Sequence, residues 1–150
     1  SGGLGTMGFG LPAAIGAALA NPQRKVICFS GDGSLMMNIQ EMATASENQL
    51  DVKIILLNNE ALGLVHQQQS LFYQQGVFAA TYPGMINFMQ IAAGFGLQTC
   101  DLNNEVDPQA ALQAIIARPG PALIHVRIDP EQKVYPMVPP GAANTEMVGE

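Results

Sequence analysis

The sequence predicts an α/β fold with three layers (α/β/α), in which helices cover both faces of a mainly parallel sheet. Residues 25–30 and 52–57 are short apolar runs rich in Val, Ile, Leu and Phe, which is typical of strands buried on both faces. Between them, residues 35–47 carry apolar side chains at helical spacing. A strand, a helix and a strand in this order form a right-handed βαβ unit, so both strands end at one edge of the sheet. Open α/β sheets bind ligands at that edge.

The other elements follow from caps, breakers and periodicity along the chain. Residues 1–10 contain five glycines and predict a loop with unusual backbone angles. Asn87 is predicted to be a helix N-cap, and Asp107-Pro108 is predicted to open another helix. The predicted helices cover residues 11–20, 64–73, 87–93 and 108–118, and two further strands cover 97–102 and 122–128. We expect an irregular, mobile segment over 74–85, an extended tail over 130–150, and one domain over 1–150.

Polar residues follow each of the first two predicted strands. Gly31-Asp32-Gly33-Ser34 comes after the first strand and Asn58-Asn59 after the second. A carboxylate paired with an amide oxygen suits Mg²⁺ or Ca²⁺ and suits zinc poorly. Glycines let the backbone approach a ligand, and the helix that should begin near Ser34 directs N–H groups toward it. These features predict a diphosphate bridged by a metal ion, and the alternative is that both stretches are ordinary turns.

The two motifs together resemble the signature of thiamine diphosphate (ThDP) enzymes, which begins with GDG and ends with NN roughly two dozen residues later. Four blocks resemble acetohydroxyacid (acetolactate) synthases in particular, at residues 1–17, 58–63, 69–73 and 135–141. The resemblance implies the C-terminal domain that grips the diphosphate, within a larger enzyme. Such an enzyme decarboxylates pyruvate and joins the two-carbon unit to a second 2-ketoacid in branched-chain amino acid biosynthesis.

The resemblance also implies which residues bind the cofactor. Asp32 and Asn59 would ligate Mg²⁺ through their side chains, and Ala61 through its main-chain oxygen. The backbone would also hold the diphosphate at five positions: Gly31, Gly33, Ser34, Gly63 and Leu64. Met7 stands where the family places a bulky apolar residue that bends ThDP, and its main chain would hydrogen-bond the aminopyrimidine. The alternative for Met7 is an ordinary core methionine.

Gln68 is a departure from the family pattern with a consequence for specificity. Many members carry a tryptophan at this position, which favours 2-ketobutyrate over pyruvate as the second substrate. Leu64 and Gln68 are therefore implied as substrate-binding residues. Gln68 provides no flat apolar wall, so we expect little discrimination between the two acceptors, as in the bacterial isoenzyme I type. The alternative is that Gln68 is only an exposed helix residue.

No catalytic acid–base residue is assigned to this chain. In the family, the glutamate that faces the aminopyrimidine belongs to a partner subunit, so these 150 residues are expected to be inactive alone. FAD, which the family usually carries, is expected mainly on a domain outside this chain. Expected partners are the other domains, a second copy of the large subunit, a possible small regulatory subunit and 2-ketoacid substrates.

Composition narrows the classes of function. The net charge of −6 and the absence of a Lys/Arg cluster argue against nucleic acid, and no apolar run is long enough to span a membrane. Charged residues form 12% of the chain, about half of the usual share of about 25%, which predicts apolar surface for neighbouring domains or subunits. Cys28 and Cys100 lie in predicted strands and indicate core thiols in a reducing, cytoplasmic environment, and the alternative is a disulfide between them. A start at Ser1, inside a glycine-rich motif, suggests a truncated or processed product.

Three other interpretations stay open at this point. The parent could be another ThDP-dependent decarboxylase or carboligase, of the pyruvate oxidase or glyoxylate carboligase type. It could be a nucleotide-binding module, although no G-x-x-x-x-G-K-[ST] pattern is present. It could also be a non-catalytic interaction domain that has kept the fold.

Overall fold

The computed structural model describes residues 2–82, 84 and 86–149 of the chain. The chain folds as two compact units. The first combines Ser1–Asn58 with Ile86–Arg127, and the second combines Asn59–Met85 with Ile128–Glu150. Each unit is therefore built from two segments that are separate in sequence.

Within the described residues, the first unit contains a four-stranded sheet. Its strands are β1 (Val26–Gly31), β2 (Val52–Asn58), β3 (Gln98–Asp101) and β4 (Ala122–Arg127). The strand order is β1-β2-β4-β3, and every neighbouring pair is parallel. All four strands consequently end at the same edge, as the βαβ interpretation predicts.

Helices cover both faces of this sheet. On one face lie α1 (Gly10–Ala20), α2 (Asp32–Met36), α3 (Glu41–Glu47) and α5 (Phe88–Gly94). Their buried apolar side chains pack with those of the strands in one cluster that includes Leu11, Ile15, Leu35, Met42, Ile54, Leu56, Phe88, Ala92 and Leu123. On the other face, α6 (Pro108–Ala117) packs Ile115 against Ala122 and Ile124. Because neighbouring residues of β4 join opposite clusters, the sheet is the middle of three layers, which confirms the predicted fold class.

The predicted helix over residues 35–47 is wrong in its extent, because the structure divides it. α2 already begins at Asp32 and ends at Met36, residues 37–40 form turns, and α3 begins at Glu41. In the turns, backbone bonds run from Asn38 N–H to Leu35 O and from Glu41 N–H to Asn38 O, which is the tighter i to i+3 pattern. Leu35 and Met42 are nevertheless both buried, so the apolar periodicity predicted the buried face correctly.

The predicted N-cap at Asn87 and the predicted helix start at Asp107-Pro108 are both confirmed. The Asn87 side chain accepts a hydrogen bond from Gln90 N–H, and the Asp107 side chain accepts one from Ala110 N–H. The third strand is shorter than the predicted 97–102, because Asp101 accepts a hydrogen bond from Asn103 N–H and begins a 3-10 turn over Leu102–Asn104.

The second unit contains α4 (Gly63–Phe72) and segments held by backbone pairing. Leu62 N–H donates to Ala80 O and Tyr82 N–H donates to Glu60 O, so the segment predicted to be irregular pairs with residues 60–62. Pro83 and Met85 belong to that predicted segment but lie outside the described residues. The tail is not simply extended, because Met137 and Val148 pair as an antiparallel bridge.

Two simpler expectations can also be compared with the structure. Cys28 is a buried free thiol, as predicted, and burial raises its pKa. Cys100 is also free, but it is only partly buried, so its prediction as a core residue is wrong. In the part of the chain that the structure describes, every helix is too short or too polar to cross a membrane.

Candidate functional site

Asp32 lies at the edge of the sheet where the strands end. In the β1–β2 register Gly31 pairs with Leu57, so Asp32 and Asn58 are each the next residue beyond that pair. The Asp32 side chain is only 2% exposed, and its Oδ1 accepts a hydrogen bond from Gly33 N–H at 2.8 Å. A buried carboxylate requires hydrogen bonds or a cation to offset its desolvation. This edge therefore has the character expected of a binding site.

The glycine-rich loop is tied to the turn that follows β1. Gly8 N–H donates to Ser34 Oγ at 3.0 Å, and Asn38 Nδ2 donates to Gly8 O at 2.7 Å. Gly8 has φ +83°, and a Cβ at this position would lie 2.6 Å from Asn38 Nδ2, so only glycine fits without a shift. Met7, the residue before it, has a side chain that is 40% exposed. The cofactor-binding role of Met7 stays a prediction.

In the second unit, Asn59 of the Asn-Asn motif contacts two residues that follow it in the chain, Ala61 and Gly63. Asn59 Oδ1 accepts a hydrogen bond from Ala61 N–H at 3.2 Å, which leaves this oxygen a second lone pair. The antiparallel bridge between Ala61 and Thr81 uses neighbouring groups, so it does not consume the Ala61 carbonyl. A Cβ at Gly63 would lie 2.8 Å from Asn59 Nδ2. Glycine at this position therefore provides the space that the Asn59 amide occupies.

Two predicted substrate-binding residues lie on the same side of α4. Leu64 and Gln68 are four residues apart, which places them on one helix face, and both are exposed. Gln68 also lines an open groove together with Val65, Gln69 and Tyr73. Exposure fits both interpretations of Gln68, so its role in specificity stays a prediction.

Gln67 is a structural residue that the sequence interpretation missed. Its side chain is 3% exposed and forms two bonds with the backbone of Val134, accepting from N–H at 2.8 Å and donating to C=O at 2.8 Å. This pairing attaches α4 to the tail within the second unit. Since Gln67 is one of three consecutive glutamines, nothing in the local sequence distinguishes it from Gln68 or Gln69.

A second missed feature is a chain of polar side chains across three strands. Asn58 Nδ2 lies 3.0 Å from His125 Nε2, and His125 Nδ1 lies 3.2 Å from Asp101 Oδ1. Burial alone would raise the pKa of Asp101, but hydrogen bonds from Asn103 and the proximity of His125 bring it below the ordinary value. Asn58 and Asp101 occur at the ends of predicted strands and His125 occurs within one, which was the available signal. To predict that these side chains meet, one must also know the strand order, which places β4 between β2 and β3.

The predicted site residues are divided between the two units. Met7, Gly31, Asp32, Gly33 and Ser34 belong to the first unit, where the Gly8–Ser34 bond links the glycine-rich loop to the Gly-Asp-Gly turn. The others belong to the second unit: Asn59, Ala61, Gly63, Leu64 and Gln68.

Comparison with known proteins agrees with the sequence resemblance. The chain is 92% identical over its whole length to the acetolactate synthase isozyme 1 large subunit of Escherichia coli (strain K12), of which it covers 27%. It is 47% identical to the isozyme 2 large subunit of the same organism, over 99% of this chain and 27% of that protein. It is 45% identical to the acetolactate synthase large subunit of Pyropia yezoensis, over 99% of this chain and 25% of that protein. The chain thus spans about a quarter of the length of these curated relatives.

A family match covers most of the same residues. The family described as "Thiamine pyrophosphate enzyme, C-terminal TPP binding domain" matches residues 1–126. This range includes all ten predicted site residues and all of the four-stranded sheet except Arg127, the last residue of β4. With its parallel sheet and its Gly-Asp-Gly and Asn-Asn motifs at the strand ends, the chain belongs to the family of C-terminal TPP-binding domains of thiamine pyrophosphate enzymes.

Proposed function

We propose that this chain is the part of an acetolactate synthase large subunit that binds ThDP and Mg²⁺. The observation that carries the proposal is the 92% identity, along the whole chain, to a relative named as that subunit. The complete enzyme would decarboxylate pyruvate and join the two-carbon unit to a second 2-ketoacid, in branched-chain amino acid biosynthesis in the cytoplasm. ThDP, when bound, supplies the thiazolium carbon to which a 2-ketoacid adds.

The proposed Mg²⁺ ligands are the side chains of Asp32 and Asn59 and the main-chain oxygen of Ala61. The donor set fits the metal, because a carboxylate, an amide oxygen and a backbone carbonyl are all hard oxygen ligands. Mg²⁺ prefers six oxygens, so three positions would remain for phosphate oxygens and water. The local geometry supports this assignment, since Ala61 has a carbonyl outside its backbone bridge and Gly63 makes room for the Asn59 amide.

The proposed diphosphate contacts come from the backbone at the beginning of two helices. Gly31 ends β1 directly before α2, Gly33 and Ser34 lie in the first turn of α2, and Gly63 and Leu64 begin α4. In this structure Gly33 N–H donates to the Asp32 carboxylate, so we expect that bond to be shared or released when a phosphate oxygen binds. Met7 would support the cofactor from the glycine-rich loop, next to the buried Gly8.

The remaining groups needed for the reaction would come from elsewhere in the enzyme. We expect a second copy of the large subunit to supply the carboxylate against the aminopyrimidine, and other domains to bind most of the FAD. A small regulatory subunit is a further proposed partner. From this chain, Leu64 and Gln68 would contact the 2-ketoacid, because both side chains are exposed on one face of α4.

The test is calorimetric titration of ThDP in the presence of Mg²⁺ into a full-length large subunit that carries this segment. Asp32→Asn removes the charged ligand, and we expect ThDP affinity to fall by about a hundredfold or more, since changes even to groups behind a metal ligand cost about 10–100-fold. Glu47→Gln is the matched control because it removes one negative charge at an exposed position. Wild-type affinity in Asp32→Asn would contradict the proposal, as would binding of a nucleotide in preference to ThDP.

A further inference from the structure

His125 connects the ends of three parallel strands through its ring. It lies on β4, where it pairs with Leu56 of β2 and with Asp101 of β3 in the strand register. Its two ring nitrogens lie 3.0 Å from Asn58 Nδ2 and 3.2 Å from Asp101 Oδ1. Because β4 is between β2 and β3, one side chain contacts both neighbouring strands.

The chemistry of the partners gives these hydrogen bonds a direction. Asp101 has a lowered pKa, so its carboxylate is ionised near neutral pH and only accepts hydrogen bonds. His125 Nδ1 must therefore donate to it. In a neutral imidazole the other nitrogen then accepts, and Asn58 Nδ2 is the donor that lies opposite it. With Nδ1 donating to Asp101, the ring of His125 presents Nε2 as an acceptor to the Asn58 amide N–H.

The strand ends around this chain are held by further bonds. Asn103, in the 3-10 turn, donates its backbone N–H to Asp101 Oδ1 at 3.2 Å, and its own Oδ1 accepts from Arg127 N–H at 2.9 Å. Arg127 is the register partner of Asn58. The end of β2 is consequently fixed against β4 by side chains as well as by the backbone, and Asn58 is buried there.

We propose that Asp101, His125 and Asn58 form a positioning chain that orients the Asn58-Asn59 motif for metal binding. This inference rests on the proposed function, in which Asn59, the next residue along the chain, is a Mg²⁺ ligand. His125 is a positioning residue, since it acts through Asn58. Groups that orient metal ligands through hydrogen bonds typically contribute about 10–100-fold to metal affinity, and this is the size of effect that we assign to His125.

Two substitutions of His125 distinguish a role in positioning Asn58 from a role that only attaches β4 to β3. The amide of a glutamine reaches about as far as His Nε2, so His125→Gln keeps an acceptor for Asn58. The amide of an asparagine lies near the place of Nδ1, so His125→Asn keeps the donor to Asp101 and loses the contact with Asn58. Mn²⁺ is the probe, titrated with ThDP into the full-length subunit that carries this segment. Electron paramagnetic resonance reports the free Mn²⁺, and thermal unfolding without cofactor reports stability.

We expect His125→Asn to raise the Kd of Mn²⁺ by about 10–100-fold, and His125→Gln to remain close to the wild-type Kd. If both variants bind Mn²⁺ equally weakly and also lose Tm to the same extent, His125 has only a structural role and the proposal is overturned. Wild-type Kd in His125→Asn would overturn it as well. Asp32→Asn identifies which proposal has failed. If that variant loses Mn²⁺ while His125→Asn does not, only the positioning chain is wrong, and if wild type and Asp32→Asn bind Mn²⁺ alike, the proposed function fails first.

Discussion

Gly8 illustrates how much of this site depends on single residues that have no side-chain chemistry. Its N–H and C=O are both used, by Ser34 and Asn38, and its positive φ leaves little room for any other residue. Gly63 has a comparable role beside Asn59. At both positions the missing Cβ allows a polar side chain to come close to the backbone.

Gln68 allows a test of substrate selection at the scale of one residue. Gln68→Trp adds a flat apolar wall on the exposed face of α4. An added apolar contact to one methylene is worth about 1–3 kcal/mol. We therefore expect the product ratio from a mixture of pyruvate and 2-ketobutyrate to shift toward the 2-ketobutyrate product by about tenfold or more.

The ratio is measured in the full-length enzyme by separating the two acetohydroxyacid products. Gln68→Ala is the control, because it removes the glutamine without building a wall, and it should leave the ratio near that of the wild type. A ratio that stays the same in Gln68→Trp would show that this position does not face the acceptor.

Local sequence predicts a residue's structural position only where neighbouring residues in the chain carry the signal. Asp32 and Asn59 follow recognisable strands, and Asn87 and Asp107 are caps that act on residues three positions away. The importance of Gln67 could not be predicted, because its burial depends on Val134 in the distant tail. His125 required knowledge of which strands are neighbours, and apolar periodicity does not provide the strand order.

At the scale of elements, tertiary contacts modified the helices that periodicity predicted. The break between α2 and α3 contains Asn38, whose side chain donates to Gly8 O. The helical pattern of residues 35–47 gives no indication of this bond with the glycine-rich loop. The strands were predicted more closely, because their burial on both faces produces continuous apolar runs that are visible in sequence.

Gln67 gives a test of how α4 holds the tail. Gln67→Met keeps the length of the side chain but leaves the N–H and C=O of Val134 without this partner. Loss of a buried hydrogen-bonding partner costs about 1–3 kcal/mol. We expect hydrogen exchange and limited proteolysis of residues 128–149 to become faster by about tenfold or more.

Gln68→Met is the matched control, since it makes the same replacement at the exposed neighbouring position. It should leave exchange in the tail near the wild-type rate. Identical tail protection in Gln67→Met and Gln68→Met would mean that the Val134 pairing contributes little to the attachment.

At the scale of the whole molecule, the surface agrees with the low charge content. Ile27 and Phe29 point outward from the edge strand β1, and Phe29 is 67% exposed. Leu4 and Phe78 are also strongly exposed. Apolar surface of this kind is typical of faces that contact other protein, so neighbouring domains or a second subunit remain the predicted partners.

The free energy of unfolding of the first unit should depend on pH through the ionisation of Asp51. Lys53 is fully buried in β2 and donates to Arg118 O at 2.7 Å, while its Nζ lies 2.9 Å from Asp51 Oδ1. Burial would raise the pKa of Asp51, but hydrogen bonds from Lys25 and Lys53 lower it below the ordinary value of 3.8. Ionised Asp51 therefore stabilises the folded state above that pH. The contribution is lost as the pH falls through 3.8 and then through the lower folded-state pKa.

We expect Asp51→Asn to reduce stability near neutral pH by about 1 kcal/mol, because the pair is partly exposed. The difference from wild type should shrink as the pH falls below about 4. Thermal unfolding of the full-length subunit over a pH series measures this. Lys25→Gln removes only the more exposed partner and should have a smaller effect. A constant difference at all pH values would show that the carboxylate charge of Asp51 is not responsible.

The Ser34 hydroxyl accepts a hydrogen bond from Gly8 N–H. Under the proposed function, this bond would affect how the coenzyme is held. The loop that carries Met7 would contact the middle of the coenzyme, and the first turn of α2, which carries Ser34, would bind its diphosphate end. The Gly8–Ser34 bond and the bond from Asn38 to Gly8 O join these two pieces of backbone within the chain itself. A coenzyme that binds both pieces would therefore meet parts of the chain that already contact each other.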